Sequence, residues 1–405
     1  MTNYTDADIE DLTRWTAEEL RANTRRWRDA RAAGPLVKNS VGNAGVIRHA
    51  DVCPLLRDKR LRGIGMDFDR MIGIPEDSRT WRFHQHFTLF MNGDDHARVR
   101  SLVAKAFTPR AVEALRPYTR SVIRRLVDAV FDSGRCDAVP ALCDPFPIPV
   151  ICALIGIEPD RVDDISRWTR AIVLALRGDA LSFLDEIERA QGEFDDYVDG
   201  LIATRRQAPR DDLLSRLIAA EEAGDKLSTI ELQAAVLGTL AAGTDTTRNQ
   251  LTNLIQTFAT HPAQWALLRS RPDLVANAVE EAIRWQPSAR SAARVALEDI
   301  EVGGLTIPAG SMVSLITMSA NHDEAVLVGA DRFDIAREAS GSWQLVTFGG
   351  GVHYCMGANL ALLELTEALA ELSARFGQLC LDGEPQPTSL QLPFVGYQSL
   401  PIAWS

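Results

Sequence analysis

The sequence predicts a mainly α-helical single domain over residues 1–405, with small β-sheets at one side. Three observations carry that prediction. Apolar residues recur at helical spacing in Arg110–Phe131, and again across 160–206, where two or three amphipathic helices fit. Ser228-x-x-Glu231 is a capping box, and the segment it opens runs to His261-Pro262. At ~1.5 Å per residue that helix would be close to 50 Å long, and its apolar middle should thread the core. Strand-like stretches, by contrast, are short and bounded by glycine and proline.

Taken along the chain, Met1–Arg28 is rich in Asp, Glu and Arg and lacks the apolar centre of a signal peptide. A strand is expected at Gly45–Arg48. Trp81, Phe83, Phe87 and Phe90 follow, and they suit an aromatic lid over a ligand as well as they suit plain core. The helical segments come next. Ile300–Met318 then reads as strands punctuated by turns at Gly303-Gly304 and Pro308–Gly310. Beyond Cys355 a last helix carries Leu362, Leu365, Leu369 and Leu372 on one stripe, and the tail near Val395–Trp404 returns to strand. No internal repeat or low-complexity linker divides the chain.

Composition narrows the function. Hydrophobic residues make up 46% and charged residues 24%, as in ordinary globular proteins. With 43 basic and 55 acidic side chains the net charge is −12, which argues against general nucleic-acid binding. Any anionic partner must meet a local basic patch. Residues 97–125 hold one: Arg98, Arg100, Lys105, Arg110, Arg116, Arg120, Arg124 and Arg125 stand against the single acid Glu113. The charge-free stretches 302–321, 339–352 and 385–405 are broken by Gly, Pro and polar residues, so no membrane span is expected. Cysteines 53, 136, 143, 152, 355 and 380 form no CxxC pair, and free thiols in a cytoplasmic protein are expected.

The most informative segment is Phe348-Gly349-Gly350-Gly351-Val352-His353-Tyr354-Cys355-Met356-Gly357, which runs straight into the last helix. A cysteine at a helix mouth meets free backbone N–H groups and the positive dipole end, which favour thiolate over thiol. Glycines let the backbone approach something flat. A thiolate held in this way can be an axial haem ligand. A lone glycine run or a lone cysteine would be no more than a turn and a buried thiol; here the whole ten-residue arrangement is present. The segment resembles the Phe-Gly-x-Gly-x-His-x-Cys-x-Gly loop of the cytochrome P-450 family in its soluble bacterial form. The resemblance extends from the His96 helix to Pro401 and implies that fold, with the long helix crossing haem b.

That resemblance assigns further residues. Cys355 becomes the proximal iron ligand, with Phe348, Gly349, Gly357 and Ala361 shaping its surroundings. Ala242-Gly243-Thr244-Asp245-Thr246-Thr247 matches the family's oxygen-activation motif. On its own, the hexapeptide equally describes a helix kink with a buried threonine, because glycine and back-bonding threonine loosen a turn. In the family Ala242 and Gly243 face the cofactor, while Asp245 and Thr246 relay protons. Glu281 and Arg284 are i and i+3 on a helix, a spacing that alone suggests a surface ion pair. The family buries this pair and closes it with a later arginine, here Arg337, as a structural triad. His96, Arg100, Arg294 and His353 stand where the family meets the haem propionates, whose burial requires cationic donors. One departure is His322, at a place where arginine is common.

The implied activity is an oxygen-dependent monooxygenase that draws on O2 and a hydrophobic small molecule. Its electrons would come from a separate ferredoxin and NAD(P)H-dependent ferredoxin reductase, since no flavin or iron–sulfur motif is fused to the chain. The basic stretch 97–125 would dock an acidic ferredoxin on the proximal face, and a monomer is expected. A peroxide-driven or non-redox haem-thiolate enzyme and a non-enzymatic haem-thiolate sensor are the alternatives; the intact Asp245–Thr246 pair argues against both. The pocket is expected to be lined by Gly238, Ala241, Ala242, Ala289, Ser291, Ala292, Phe394 and Val395, mostly small residues that leave volume open. Arg290 either anchors a carboxylate or faces solvent; solvent is the expectation, because an unpaired buried arginine is costly.

Overall fold

A computed structural model describes residues 2–6, 9–21, 25–39, 41–158, 161–222, 227–338, 343–390 and 394–405. Asp160, which opens the second amphipathic segment, and residues 339–342 and 391–393 of the charge-free stretches lie outside them. The long helix spans Thr229–Thr260 and begins as its sequence dictates. Ser228 accepts from the Glu231 N–H through its hydroxyl, and the Glu231 carboxylate accepts from the Ser228 N–H in return. Arg98 then clamps that carboxylate at 2.6 Å and 3.1 Å.

The chain interleaves two units: 1–64 with 276–355, and 65–275 with 356–405. The first holds most of the sheet structure. A five-stranded sheet runs in the order Leu36–Lys38, Ala44–Val46, Met312–Leu315, Ala292–Ala296, Leu61–Gly63. Ala44–Val46 and Met312–Leu315 pair in parallel and the other neighbours antiparallel. Val46, Leu36, Val313, Leu315 and Ala296 bury one apolar layer with Val52, Leu56 and Ile300. Gly303, Gly304 and Gly310 take positive φ at the two expected turns, where a side chain would be strained.

The second unit is helical, with the long helix through its core and residues 234–241 buried. Against it lie helices Pro147–Ile155 and Val162–Val173, and the latter packs on Leu184–Gln207. The expected helix over Arg110–Phe131 is broken into Pro109–Glu113 and Arg116–Val130. The terminal helix Ala358–Arg375 packs on Arg116–Val130 and buries Leu365, Leu369 and Leu372, while Leu362 is half-buried. Strands Leu379–Leu381, Pro401–Trp404 and Arg135–Asp137 form a small antiparallel sheet. No helix among the described residues is long and apolar enough to cross a membrane.

Candidate functional site

In the first unit the cysteine loop is held by its own backbone. The Cys355 N–H donates to the Phe348 carbonyl (2.9 Å) and the Tyr354 N–H to that of Gly351 (3.1 Å). Gly349 and Gly351 have φ of +73° and +63°. A Cβ on Gly350 or Gly351 would come within 2.9 Å of Leu56, so glycine is required there by close approach. Phe348, Gly349, His353 and Gly357 are half-buried and Cys355 is exposed. Two residues beyond Cys355, Gly357 caps the helix Ala358–Arg375, and its carbonyl accepts from the Ala361 N–H (2.9 Å). Cys355 stands three residues before the first residue of this 18-residue helix.

Also in the first unit, Glu281 gathers both arginines. Arg284 donates to its two oxygens at 2.7 Å and 2.8 Å, and the Arg337 Nε lies 3.2 Å away. Arg284, fully buried, also donates to the carbonyls of Asn321, Ala330 and Arg332. Arg337 reaches those of Val328, Gly329 and Arg332. The pair is thus no surface bridge: its charges are buried and share the neighbouring backbone. His322 is buried too. Its Nδ1–H donates to the Met318 carbonyl, and burial, with the Arg284 charge, pushes its pKa down to about 3. It stays neutral, so no salt bridge forms where arginine is common.

Along the long helix the expected loosening takes a different form. The helix is uninterrupted; Thr244 and Thr246 back-bond to the carbonyls of Leu240 and Ala242, each at 2.7 Å. Gly243 serves packing, since a Cβ there would meet Ile151 at 2.8 Å. Ala242 is exposed although the eight residues before it are buried. Asp245 accepts from the Asn249 amide (3.1 Å), and burial pushes its pKa up to about 6 against the opposing charges of Arg248 and Arg170. Those guanidiniums are held instead by Asp144, at 2.7 Å and 2.9 Å. Asp144, Ser166, Thr169, Arg170, Asp245 and Arg248 line a cavity with room for about one water. Ser166 and Arg170 also border an open cleft. One turn on, Thr247 lies 3.4 Å from Glu364, whose carboxyl burial holds well above the usual range.

Of the residues expected at the propionates, His96 lies in the second unit and Arg294 in the first. His96 is buried on the helix Gly93–Val103, and burial together with the Arg100 charge lowers its pKa. Arg294 is buried on Ala292–Ala296 and donates to the Ala293 carbonyl. Among the described residues no carboxylate lies within ion-pair distance of it, and burial lowers its pKa. A buried guanidinium in this state is what a propionate would satisfy.

The substrate residues are more enclosed than expected. Gly238 leaves no open volume, because the Phe87 ring lies 2.4 Å from where its Cβ would be. Trp81, Phe83, Phe87 and Phe90 are all buried. Arg290 is half-buried, with Nε and Nη2 at 3.2 Å and 2.9 Å from the Met318 sulfur. Ala289 and Ala292 are half-buried, Ala241 is buried, and Phe394 and Val395 are half-buried, with the Val395 carbonyl accepting from Asn253. Sequence reasoning missed Asp144, the Arg98–Glu231 clamp and a buried Asp69–His84 pair (2.9 Å).

A profile of the cytochrome P-450 family matches residues 171–404. Luteothin monooxygenase of Streptomyces thioluteus is 38% identical over 344 residues, covering 84% of this chain and 83% of that protein. 6-Deoxyerythronolide B hydroxylase of Saccharopolyspora erythraea is 35% identical over 350 residues, 85% of this chain and 84% of the other. The crystal structure of CalO2 is similar with a TM-score of 0.91 at 29% identity, covering 98% and 99% of the two chains.

Proposed function

This chain belongs to the cytochrome P-450 family, and from that premise we propose that it oxygenates a hydrophobic small molecule with O2 and two electrons from a ferredoxin and its NAD(P)H-dependent reductase. The observation that carries the proposal is the cysteine loop, which leaves Cys355 exposed at the mouth of a long helix. The family implies haem with a cysteine thiolate ligand; Cys355 would be that ligand, and His96, Arg100, Arg294 and His353 would hold the propionates. Haem, when bound, supplies the reductive activation of dioxygen.

The chain's own residues supply protons and exclude bulk water. Thr246 donates its hydroxyl proton to the Ala242 carbonyl, which leaves the oxygen lone pairs to accept from water and so orient it. Asp245, with a pKa of about 6, both holds and releases a proton near neutrality, and the adjoining cavity has room for about one water. By occupying Arg170 and Arg248, Asp144 keeps those charges from binding Asp245 permanently as a carboxylate. A proton carrier of this kind serves chemistry driven by delivered electrons, and it supports that reading over a peroxide-driven one.

Reduced protein under carbon monoxide should show the red-shifted absorption of a thiolate-ligated haem, and Cys355→His should lose it together with oxygenation. Survival of the band in the variant would make another residue the ligand. Product formed with ferredoxin, reductase and NAD(P)H, compared with peroxide alone, separates the two modes of turnover.

A further inference from the structure

Asp144 spends both of its carboxylate oxygens on guanidiniums. Oδ1 accepts from the Arg248 Nε–H at 2.7 Å, and Oδ2 lies 2.9 Å from the Arg170 Nη2. The three charges come from three places in the second unit. Asp144 follows the short turn Val139–Cys143, Arg170 stands on the helix Val162–Val173, and Arg248 stands on the long helix. Asp245 lines the same small cavity, yet among the described residues no guanidinium lies within ion-pair distance of it. The remaining lining residues, Ile148, Ser166, Thr169 and Thr244, carry no charge.

Charge alone does not explain why Asp245 goes unpaired. Two guanidiniums and one committed carboxylate leave the cavity one positive charge in surplus. A cation that pairs with a carboxyl lowers its pKa by about 1–3 units. Direction decides the matter instead. Both guanidiniums aim at Asp144, and Arg248 also donates from Nη1 to the side-chain carbonyl of the buried Asn249 at 2.8 Å. That bond turns the Asn249 NH2 toward Asp245, where it donates to the carboxylate at 3.1 Å and to the backbone carbonyl at 2.8 Å. Asp245 therefore receives a neutral amide donor, and burial pushes its pKa up to about 6 against the pull of Arg248 and Arg170. Arg170 has room to turn: 59% of its side chain is exposed, against 16% for Arg248.

Resting on the oxygenase reading above, we propose that Asp144 is a positioning residue for proton delivery: by binding Arg170 and Arg248 it keeps Asp245 available as a proton carrier, and in its absence the two guanidiniums turn to Asp245 and hold it as a carboxylate. The proton that Asp245 gives up is replaced from water, so no further reactant enters.

Carbon-13 NMR of protein labelled at the aspartate carboxyl follows Asp245 directly, in the haem-loaded, reduced, carbon monoxide-bound state, which is diamagnetic. Asp245→Asn assigns the resonance. In wild type it should titrate with a midpoint at about 6. In Asp144→Asn the midpoint should fall by about one pH unit or more, and in Asp144→Glu it should stay with wild type. Water entering a loosened site would lower the midpoint as well. The triple variant Asp144→Asn/Arg170→Gln/Arg248→Gln separates the two causes: with the guanidiniums gone, the midpoint should return to at least its wild-type value. The alkaline limb of kcat should move to lower pH in Asp144→Asn by the interval seen in the carboxyl titration, with KM unchanged. An unmoved midpoint in Asp144→Asn, or a fall that the triple variant does not reverse, overturns the proposal. So does a wild-type midpoint at about 4, a measurement that needs no variant to fold. A kcat limb that stays in place while the midpoint moves overturns the role in proton delivery. The carbon monoxide band, recorded on the same samples, reports separately whether the P-450 reading itself has failed.

Discussion

Burial pushes the Asp245 carboxyl up to about 6, where it can change protonation near neutral pH. A raised carboxyl pKa weakens the folded state as pH climbs from the unfolded value near 4, and the penalty is complete above about 6. Asp245→Asn should therefore gain stability relative to wild type across that window, by about 1–2 kcal/mol, with the difference flat above it; denaturant titrations at pH 4.5, 6 and 7.5 measure this. The same variant should slow product formation and enlarge its solvent isotope effect, since the amide cannot hold the proton. In the proposed reaction Thr246 acts after substrate binding. Thr246→Ala should bind substrate and consume NAD(P)H as before, yet release much of the consumed reducing power as hydrogen peroxide. Unchanged coupling of NAD(P)H to product would remove the hydroxyl from the mechanism.

At the scale of elements, the long helix shows what a local signal can specify. Its capping box and its terminal His261-Pro262 were both legible, and the helix begins and ends there. Glu231 completes the box and also takes Arg98, which with the Ser228 N–H holds its pKa near 2. A depressed carboxylate contributes stability above its unfolded value near 4.5 and loses it as pH falls toward 2. Glu231→Gln should cost about 1–2 kcal/mol at pH 7, and the gap to wild type should close as the pH approaches 2. The short strands were not legible. Leu36–Lys38, Leu61–Gly63 and Arg135–Asp137 are three residues each, too brief to alternate, and they exist because a distant partner pairs with them. Leu61–Gly63, for example, takes its register from Arg294–Ala296. The glycine at 243 misled in another way: its packing partner, Ile151, lies ninety-two residues earlier and leaves no mark beside it.

At the scale of the whole chain, the cysteine loop was legible because ten contiguous residues carry it, while Asp69 and His84 were not, because fifteen residues without a motif separate them. The two interleaved units are likewise unmarked by any linker. Charge distribution lies between these extremes. The basic stretch 97–125 is plain in the sequence, but the structure neutralises much of it. Arg98 binds Glu231, Arg116 and Arg120 share Glu367, and Arg124 approaches Glu371 at 3.6 Å. Lys105, Arg110 and Arg125 remain exposed and appear in no ion pair among the described residues. In a chain of net charge −12, these three are the positions where an acidic ferredoxin would be steered. Charge reversal at Lys105 and Arg110 should slow reduction by ferredoxin, and the deficit should shrink as ionic strength rises past about 0.1 M, where the screening length falls to about 10 Å. Charge reversal at Arg116 and Arg120 should behave differently: it leaves the buried Glu367 without partners and facing new negative charge, so the loss should appear in thermal stability at every salt concentration. Stopped-flow reduction rates and melting curves, collected on both double variants across a salt series, separate steering from structure. Reduction rates that ignore charge at Lys105 and Arg110 would place the electron-transfer partner elsewhere.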